Sequence, residues 1–311
     1  MFKNVIAAIR EYNRIIIHRH KNPDGDALGS QLGLAGILRE NFPEKEILCV
    51  GDTSLRYAFM GFTPDEVSDE AYNGALAIIL DTSASALIFD ERYKLAEKTV
   101  RIDHHIFCEE IAEIEVTDTS YESCCGLIAA FAMECGLKVP SDAAKALYTG
   151  MITDSGRFRY DSVSSQTFRC AAFLMEQDFR TDDIYRNLYA DDFSFIQLRA
   201  RFVLKIQFAG CGVAYIYTTK EEADSYEADT FTISRGMVNV MGEIRGIDTW
   251  VNFTETDEGV LCEIRSSLYN INPIAKKYGG GGHAKASGAT LKDRNEAMAM
   301  LEDLKALGGA Q

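Results

Sequence analysis

Aspartate and histidine side chains are concentrated at the ends of predicted strands in the first half of the chain. Asp103, His104 and His105 directly follow the apolar segment that ends at Ile102. The other concentrations fall at similar places, and the full set is His20, Asp24, Asp26, Asp81, Asp103, His104, His105 and Asp154. Because open α/β sheets bind ligands at the carboxyl ends of their strands, we expect these side chains to converge on one site.

So many carboxylates in one site require cations. Carboxylates that share a pocket raise one another's pKa values, and two divalent ions would remove that conflict. Oxygen and imidazole ligands without thiolates favour Mn²⁺, with Mg²⁺ or Zn²⁺ as alternatives. Two ions about 3.5 to 4 Å apart can share a carboxylate, activate a water and stabilise charge on phosphorus oxygens. The pattern therefore predicts a two-metal centre for phosphoester hydrolysis, with Asp81 as the bridging ligand.

A second group of residues lies near the end of the sequence. Four consecutive glycines, Gly279 to Gly282, precede His283 and Lys285. Glycine leaves backbone N–H groups open to a phosphate or a ribose. From Arg265 to Lys292 the sequence has five basic residues and no acidic one. We interpret this strip as a site for the phosphate of a short ligand, with a bidentate contact from Arg265; a flexible loop with a solvated basic face is the alternative.

Composition limits the functions that the chain can have. Its 311 residues carry a formal net charge of −15, which argues against tight binding along a long nucleic acid. No apolar run is long enough to span a bilayer, and residues 1–14 lack the features of a signal peptide, so we expect a cytoplasmic protein. The eight cysteines include no Cys-x-x-Cys pair, which indicates reduced thiols that pack in the core.

The elements that must position these side chains alternate between strand and helix. Strands are predicted near residues 14–20, 47–50, 76–81, 99–103 and 113–116, and helices near 26–40, 123–135 and 141–153. This alternation predicts an α/β domain, a mainly parallel sheet with helices on both faces. Gly29, Gly33 and Gly36 in the first of these helices indicate close packing or close approach by a ligand.

A smaller α+β unit is predicted for the rest of the chain. Its strands lie near residues 203–208, 212–217, 250–254 and 260–266, and its helices near 231–244 and after 293. We predict a catalytic domain at 1–190, a helical linker at 191–205 and a second domain at 206–311.

These motifs together resemble the DHH/DHHA1 phosphoesterase superfamily, most closely its nano-RNase branch, the bacterial bifunctional oligoribonucleases and PAP phosphatases. The matching segments are 18–30, Asp81-Thr82-Ser83, Asp103-His104-His105, 153–156, Arg265-Ser266 and 279–289. The resemblance implies a DHH domain with two Mn²⁺ ions and a DHHA1 domain that binds substrate across a cleft.

The resemblance also implies roles for individual residues. His20, Asp24 and Asp81 would hold one ion, and Asp26, Asp81, His104 and Asp154 the other. His105 would face the scissile phosphate, with Asp103 orienting the histidine pair. Substrate would be bound by Gly280, Gly281, His283 and Arg265, with Arg101 and Arg235 as further candidates. The implied reaction is hydrolysis of short oligoribonucleotides to mononucleotides and of 3′-phosphoadenosine 5′-phosphate (PAP) to AMP and phosphate.

Other functions remain open at the level of sequence. Cyclic di-AMP or its linear product pApA could use the same ions. A nucleotide-binding or RNA-binding module without catalysis is a different class, and a complete set of metal ligands argues against it. Polyphosphate hydrolysis is a further alternative. As partners we expect these short nucleotides and neither a long duplex nor a membrane, and a homodimer is left open.

Overall fold

Residues 1–309 are described by the computed structural model, and the chain divides into two compact units at Ala190 and Asp191. The first unit contains a five-stranded sheet in the order β2-β1-β3-β4-β5, in which all strand pairs are parallel. Its strands are β1 (Arg14–His18), β2 (Glu46–Cys49), β3 (Ala75–Leu80), β4 (Lys98–Asp103) and β5 (Ile114–Thr117). Its helices are α1 (Lys3–Glu11), α2 (Gly25–Asn41), α3 (Cys124–Cys135), α4 (Ser141–Asp154), α5 (Ser165–Met175) and α6 (Thr181–Tyr189).

Alternate residues of β1 enter different cores. Ile15 and Ile17 join the large core under α2, α3 and α4, whereas Ile16 packs with Tyr72 on the opposite face of the sheet. Short 3₁₀ helices cover that opposite face, at Asp69–Tyr72, Ser85–Leu87 and Glu91–Leu95. The predicted α/β fold, a parallel sheet with helices on both faces, is confirmed.

Glycine at two positions of α2 lets that helix pack tightly on α4. A Cβ atom at Gly33 would meet the Leu147 side chain at 2.4 Å, and one at Gly29 would meet the Ala146 carbonyl oxygen at 2.6 Å. At such distances a side chain on α2 would push the helices apart. Of the two explanations predicted for these glycines, the structure supports close packing, which brings the start of α2 beside the end of α4.

The second unit is a six-stranded mixed sheet in the order β10-β11-β9-β8-β7-β6. Only β7 and β8 are parallel among its described pairs. Its strands are β6 (Gln207–Gly210), β7 (Val213–Thr218), β8 (Thr249–Thr256), β9 (Gly259–Ser266), β10 (Gly281–Gly282) and β11 (Ala286–Leu291). Its helices are α7 (Phe193–Leu204), α8 (Lys220–Asp224), α9 (Asn272–Lys277) and α10 (Arg294–Gly308).

Two local expectations in the second unit were wrong. The helix predicted near 231–244 is a short π-type turn at Thr232–Gly236 followed by a 3₁₀ turn at Val238–Met241. The Asn252 side chain donates to the carbonyls of Ile233 and Ser234 at 2.8 and 2.7 Å, so those oxygens bind β8 and not a continuing helix.

The strand predicted at 203–208 begins later, because α7 continues to Leu204 and β6 starts at Gln207. The glycine run forms part of a hairpin, in which Gly281 and Gly282 pair with Gly288 and Ser287 at the edge of the sheet. No helix within residues 1–309 has the length and apolar character needed to cross a bilayer.

Candidate metal centre

Three neighbouring strands of the first unit deliver the imidazoles and carboxylates to one edge of the sheet. Asp81 directly follows β3, and Asp103 is the last residue of β4. His20 follows β1 by two residues, and its carboxylate neighbours come from helix ends. Asp24 is the N-cap of α2, Asp26 lies in the first turn of α2, and Asp154 is the last residue of α4. The structure therefore gathers all eight residues of the predicted centre within the first unit.

Asp81 lies between two groups of potential ligands. Its Oδ2 atom is 3.5 Å from His20 Nε2, and His20 Nε2 is 3.9 Å from Asp24 Oδ1. Its Oδ1 atom is 3.6 Å from His104 Nε2. His104 Nε2 in turn lies 3.8 Å from Asp26 Oδ2 and 3.5 Å from Asp154 Oδ2. The two oxygens of Asp81 thus face different groups, the arrangement that a bridging carboxylate needs.

The backbone at Asp81 is unusual. Its φ of 48° lies in the left-handed region, which few non-glycine residues adopt. The backbone N–H donates to the Ile102 carbonyl of the neighbouring strand at 3.1 Å, and the residue is only 2% exposed. Such strain persists where the surrounding structure fixes the chain, and it is frequent at functional sites.

Two hydrogen bonds orient the imidazoles. His20 Nδ1 lies 2.9 Å from the Lys21 carbonyl oxygen, so it donates there and leaves Nε2 free to bind a metal. His105 Nδ1 lies 2.7 Å from Asp103 Oδ1, and Asp103 is fully buried. His105 is therefore held by a carboxylate with its Nε2 atom left for another partner.

Several pKa values in this cluster depart from their ordinary range. Burial and the neighbouring charges of Asp81 and Asp154 raise the pKa of Asp26. Burial raises the pKa of Asp154 to about 6. Burial also acts to raise the pKa of Asp81, but the hydrogen bond from His20 and the nearby imidazoles lower it overall. The hydrogen bond to Asp103 raises the pKa of His105. Crowded carboxylates that resist ionisation are what an added cation would relieve.

Asp26 accepts hydrogen bonds from a distant part of the chain that no sequence pattern links to it. Its Oδ2 accepts the Cys124 N–H at 2.7 Å and its Oδ1 accepts the Cys125 N–H at 2.8 Å, at the start of α3. A helix N-terminus stabilises an anion, which here fixes the carboxylate in place. Ser123, the N-cap of α3, signalled a helix start, but nothing in the sequence pointed to a partner 98 residues away.

Arg19 is a second residue that the sequence analysis missed. Its side chain is fully buried and donates to Gln31 Oε1 at 2.9 Å, to Asp52 Oδ1 at 3.0 Å and to the His20 carbonyl at 3.2 Å. Asp52 also accepts the Asn22 N–H at 2.8 Å. This network holds the turn that carries His20 and Asp24 against the loop after β2. A charged residue directly before His20 was the available signal.

Arg101, a predicted substrate contact, lies beneath the site. It is fully buried and pairs with Glu115, which leaves no exposed surface for a ligand to touch. It also donates to the carbonyls of Thr82 and Ser83 at 3.4 and 3.5 Å, in the turn after Asp81. The structure thus gives Arg101 a positioning contact with the turn that carries Asp81.

The remaining predicted substrate residues lie in the second unit. The Arg265 side chain is 15% exposed and pairs with Glu263 at 3.0 Å. The backbone N–H of His283 donates to the Ala286 carbonyl at 2.7 Å, which closes the hairpin that follows the glycine run. Arg235 is exposed and stacks on Phe231, with 5.7 Å from its guanidinium carbon to the ring centre. Arg265 and His283 thus flank one hairpin, whereas Arg235 belongs to the π-type turn.

The donors around Asp81 fit a pair of divalent cations. Three sets of ligand atoms each lie within 4.8 Å of one another: Asp81, His104 and His105; His20, Asp24 and Asp81; and Asp26, His104 and Asp154. Among the described residues, Asp81 Oδ1 and Asp103 Oδ2 are buried without a hydrogen-bond donor. A buried carboxylate oxygen that lacks a partner is costly, and a metal ion would satisfy the one on Asp81. A cavity of about 250 Å³ opens onto this cluster, lined by Ser83 and Leu87 as well as the charged residues.

Comparison with known proteins gives consistent matches along the chain. A family model described as the DHH family, N-terminal domain, matches residues 14–151, and the DHHA1 domain matches residues 213–308. The chain is 34% identical over 310 residues to the bifunctional oligoribonuclease and PAP phosphatase NrnA of Bacillus subtilis, which covers 99% of this chain and 98% of that protein. It is 33% identical over 307 residues to a probable enzyme of the same name from Streptococcus mutans, with 98% of each chain covered.

A solved structure shares the fold. An exopolyphosphatase-related protein from Bacteroides fragilis superposes with a TM-score of 0.81 at 24% identity, covering 99% of this chain and 97% of that one. The parallel sheet and its cluster of carboxylates and imidazoles define the chain as a metal-dependent hydrolytic enzyme. The chain belongs to the DHH family and carries a DHHA1 domain after it.

Proposed function

We propose that the chain is a Mn²⁺-dependent phosphoesterase that hydrolyses short oligoribonucleotides to mononucleotides and PAP to AMP and phosphate. The observation that carries the proposal is the position of Asp81, whose two carboxylate oxygens face separate ligand groups at 3.5 and 3.6 Å. The names of two relatives similar over nearly their full length support this choice of substrates.

Six side chains would hold two ions in this scheme. His20, Asp24 and Asp81 form one set, and Asp26, Asp81, His104 and Asp154 form the other. Oxygen and imidazole ligands suit Mn²⁺. Bound there, two divalent ions would supply an activated water and neutralise charge on the phosphate oxygens.

His105 would serve the leaving group. Its Nδ1 atom is occupied by Asp103 at 2.7 Å, which leaves the Nε2 N–H of the protonated ring to donate to the ester oxygen. The hydrogen bond to Asp103 raises the pKa of His105, so the ring holds its proton more firmly than a free histidine. Asp103 would keep that ring oriented from beneath.

The second unit would supply substrate-binding groups of its own. Arg265 offers a cation, and the hairpin at Gly280 and Gly281 offers main chain that no Cβ shields from a phosphate or a ribose. His283, at the turn of that hairpin, adds a ring that can donate to a phosphate or a ribose. A chain this acidic suits short ligands held at a local cationic site better than long polymers.

A second substrate class is pApA or cyclic di-AMP. The chain is 25% identical over 310 residues to the cyclic-di-AMP phosphodiesterase GdpP of Geobacillus thermodenitrificans, covering 46% of that longer protein. The same metal centre would serve pApA and cyclic di-AMP, because the scissile group of each is a phosphodiester, as it is in an oligoribonucleotide.

Turnover of four substrates by one preparation tests the proposal. A 5′-labelled RNA trinucleotide, PAP, pApA and cyclic di-AMP would be compared with Mn²⁺ and with Mg²⁺. We expect the trinucleotide and PAP to be hydrolysed fastest, with Mn²⁺ the better ion. Hydrolysis of cyclic di-AMP alone would favour the second class, and no hydrolysis of any of the four would contradict the proposal.

A further inference from the structure

The loop that follows the histidine pair exposes two large apolar side chains beside the metal centre. Ile106 is 79% exposed and Phe107 is 54% exposed, directly after His105. Leu87, which is 41% exposed, lines the cavity that also contains His105 and Ser83. Leu87 is therefore an apolar part of the cavity wall, while Ile106 and Phe107 directly follow one of the cavity's histidines in the chain, and none of the three has a role in the proposed metal chemistry.

Polar contacts hold this loop at two points after Phe107. Glu109 Oε1 accepts the Ser85 N–H at 2.6 Å and the Ser85 hydroxyl at 2.9 Å. Glu115 Oε1 accepts the N–H groups of Ile111 and Ala112 at 2.7 and 2.8 Å. The loop is thus tied to the turn after β3 and to β5. Ile106 and Phe107 are therefore exposed although the backbone of the loop that carries them is held by hydrogen bonds.

The Phe107 ring rests on a buried cation. The Arg101 guanidinium carbon lies 5.5 Å from the ring centre, within the range of a cation–π contact. Arg101 is itself fixed by Glu115, by the Thr82 and Ser83 carbonyls and by Thr117 Oγ1 at 3.3 Å. Because Arg101 is fully buried while Phe107 is about half exposed, one ring face meets the guanidinium and the other is open.

We propose that Phe107 is a stacking platform for the nucleobase attached next to the scissile phosphate. The inference rests on the proposed function, because it requires a nucleotide substrate. Phe107 is two residues from His105, and two residues of chain span at most about 7 Å. A base joined through one ribose to the phosphate at His105 falls within that reach. Base stacking on an aromatic ring tolerates any sequence, which suits an enzyme for short RNAs of mixed composition.

The stacking contact can be tested by combining a variant that lacks the Phe107 ring with a substrate that lacks one nucleobase. Phe107→Ala should lower kcat/KM for an RNA dinucleotide by about tenfold to a hundredfold, mainly through KM, because stacking contributes to binding. Two further dinucleotides would each carry a 1′-hydrogen abasic ribose, on the 5′ or the 3′ side of the scissile phosphate. With one of these two, wild type and Phe107→Ala should have equal kcat/KM, since the base that stacks is missing.

Matched variants separate stacking from general damage. Phe107→Trp should retain most of the wild-type kcat/KM because it keeps an aromatic face. Phe208→Ala removes a ring that is 66% exposed on β6, at the opposite edge of its sheet from β10, and should leave kcat/KM unchanged. Equal melting temperatures for wild type and Phe107→Ala would show that the loop still folds.

The possible results distinguish failure of the stacking platform from failure of the proposed function. The platform alone would be overturned if Phe107→Ala lowered kcat/KM by the same factor on both abasic dinucleotides as on the intact one. It would also be overturned if Phe107→Ala left kcat/KM on the intact dinucleotide unchanged. A wild-type enzyme that hydrolyses neither the dinucleotide nor any of the four substrates named above would overturn the proposed function and the platform with it.

Discussion

The two units of the molecule use opposite means to present chemical groups. In the first, parallel strands end together, and buried or half-buried side chains such as Asp81 and His104 meet at that edge. In the second, the sheet is mixed and mostly antiparallel, and its edge presents a glycine backbone beside a few cations. In the proposed function the first unit would thus depend on the identity of its side chains, and the second on main-chain access and local charge.

This difference predicts how each unit responds to substitution. A carboxylate bridge tolerates no loss of charge, even when size and shape are kept. A backbone site tolerates changes of nearby charge better than it tolerates added bulk. The following predictions test that contrast, from the largest expected effect to the smallest.

Asp81→Asn should reduce kcat by about a thousandfold, because the amide cannot bridge two cations and metal-assisted charge stabilisation is lost. Asparagine is a suitable replacement because it tolerates the left-handed conformation that Asp81 adopts at φ 48°. The measurement is kcat on the RNA trinucleotide with saturating Mn²⁺, together with the melting temperature. Asp178→Asn is the matched control, since the main-chain carbonyl of Asp178 accepts the Ser141 hydroxyl at the end of α4 remote from Asp154. A kcat within tenfold of wild type would contradict the bridging role.

The second prediction is that metal binding releases a proton from His20 in the first unit and none from the second unit. Burial lowers the pKa of His20, but the hydrogen bond and charge of Asp81 raise it to about 9 overall. Below about pH 9 the metal-free His20 is therefore protonated, and its proton must leave before Nε2 binds a metal. Apparent Mn²⁺ affinity should rise about tenfold per pH unit between pH 6 and 8 for each proton released.

Calorimetric titration with Mn²⁺ in two buffers of different ionisation enthalpy measures that proton count. Wild type should release at least one proton per protein at pH 7. His20→Gln should release fewer, whereas His283→Gln, which changes an exposed ring in the second unit, should match wild type. A wild-type count of zero would show that His20 is already neutral and would contradict the raised pKa.

The contrast between the units also explains which features the sequence could predict. The short apolar strands β1, β3 and β4 are unambiguous, and an aspartate or histidine follows each one closely, so their convergence at one sheet edge followed from parallel pairing. The hydrogen bonds from Cys124 and Cys125 to Asp26 join residues about a hundred positions apart, and no local pattern encodes such a contact. In the second unit, the Asn252 side-chain amide donates to two carbonyls of a predicted helix, and that segment forms two short turns instead. Local periodicity therefore predicted the elements, whereas long-range polar contacts determined the exceptions.

Arg265 tests the role of charge in the second unit. Arg265→Ala should raise KM for the trinucleotide about tenfold with little change in kcat, because a charged hydrogen bond to a phosphate contributes to binding. Its ion pair with Glu263 at 3.0 Å provides a matched variant. Glu263→Gln removes the competing anion and should leave KM equal to or below that of wild type. A fall in kcat that exceeds the rise in KM for Arg265→Ala would instead place Arg265 at the reacting phosphate.

Two neighbouring glycines give the smallest and most specific test. A Cβ atom at Gly280 would meet the Gly288 carbonyl oxygen at 2.1 Å, whereas one at Gly281 would meet no described atom within 4 Å. Gly280→Ala should therefore lower the melting temperature, because the backbone of β11 must move. Gly281→Ala should leave the melting temperature unchanged and raise KM about fivefold, because the added methyl group would keep the ligand from one hydrogen bond with the main chain. If Gly281→Ala changed neither quantity, the substrate would not approach this part of the backbone, and recognition by the second unit would depend on its side chains.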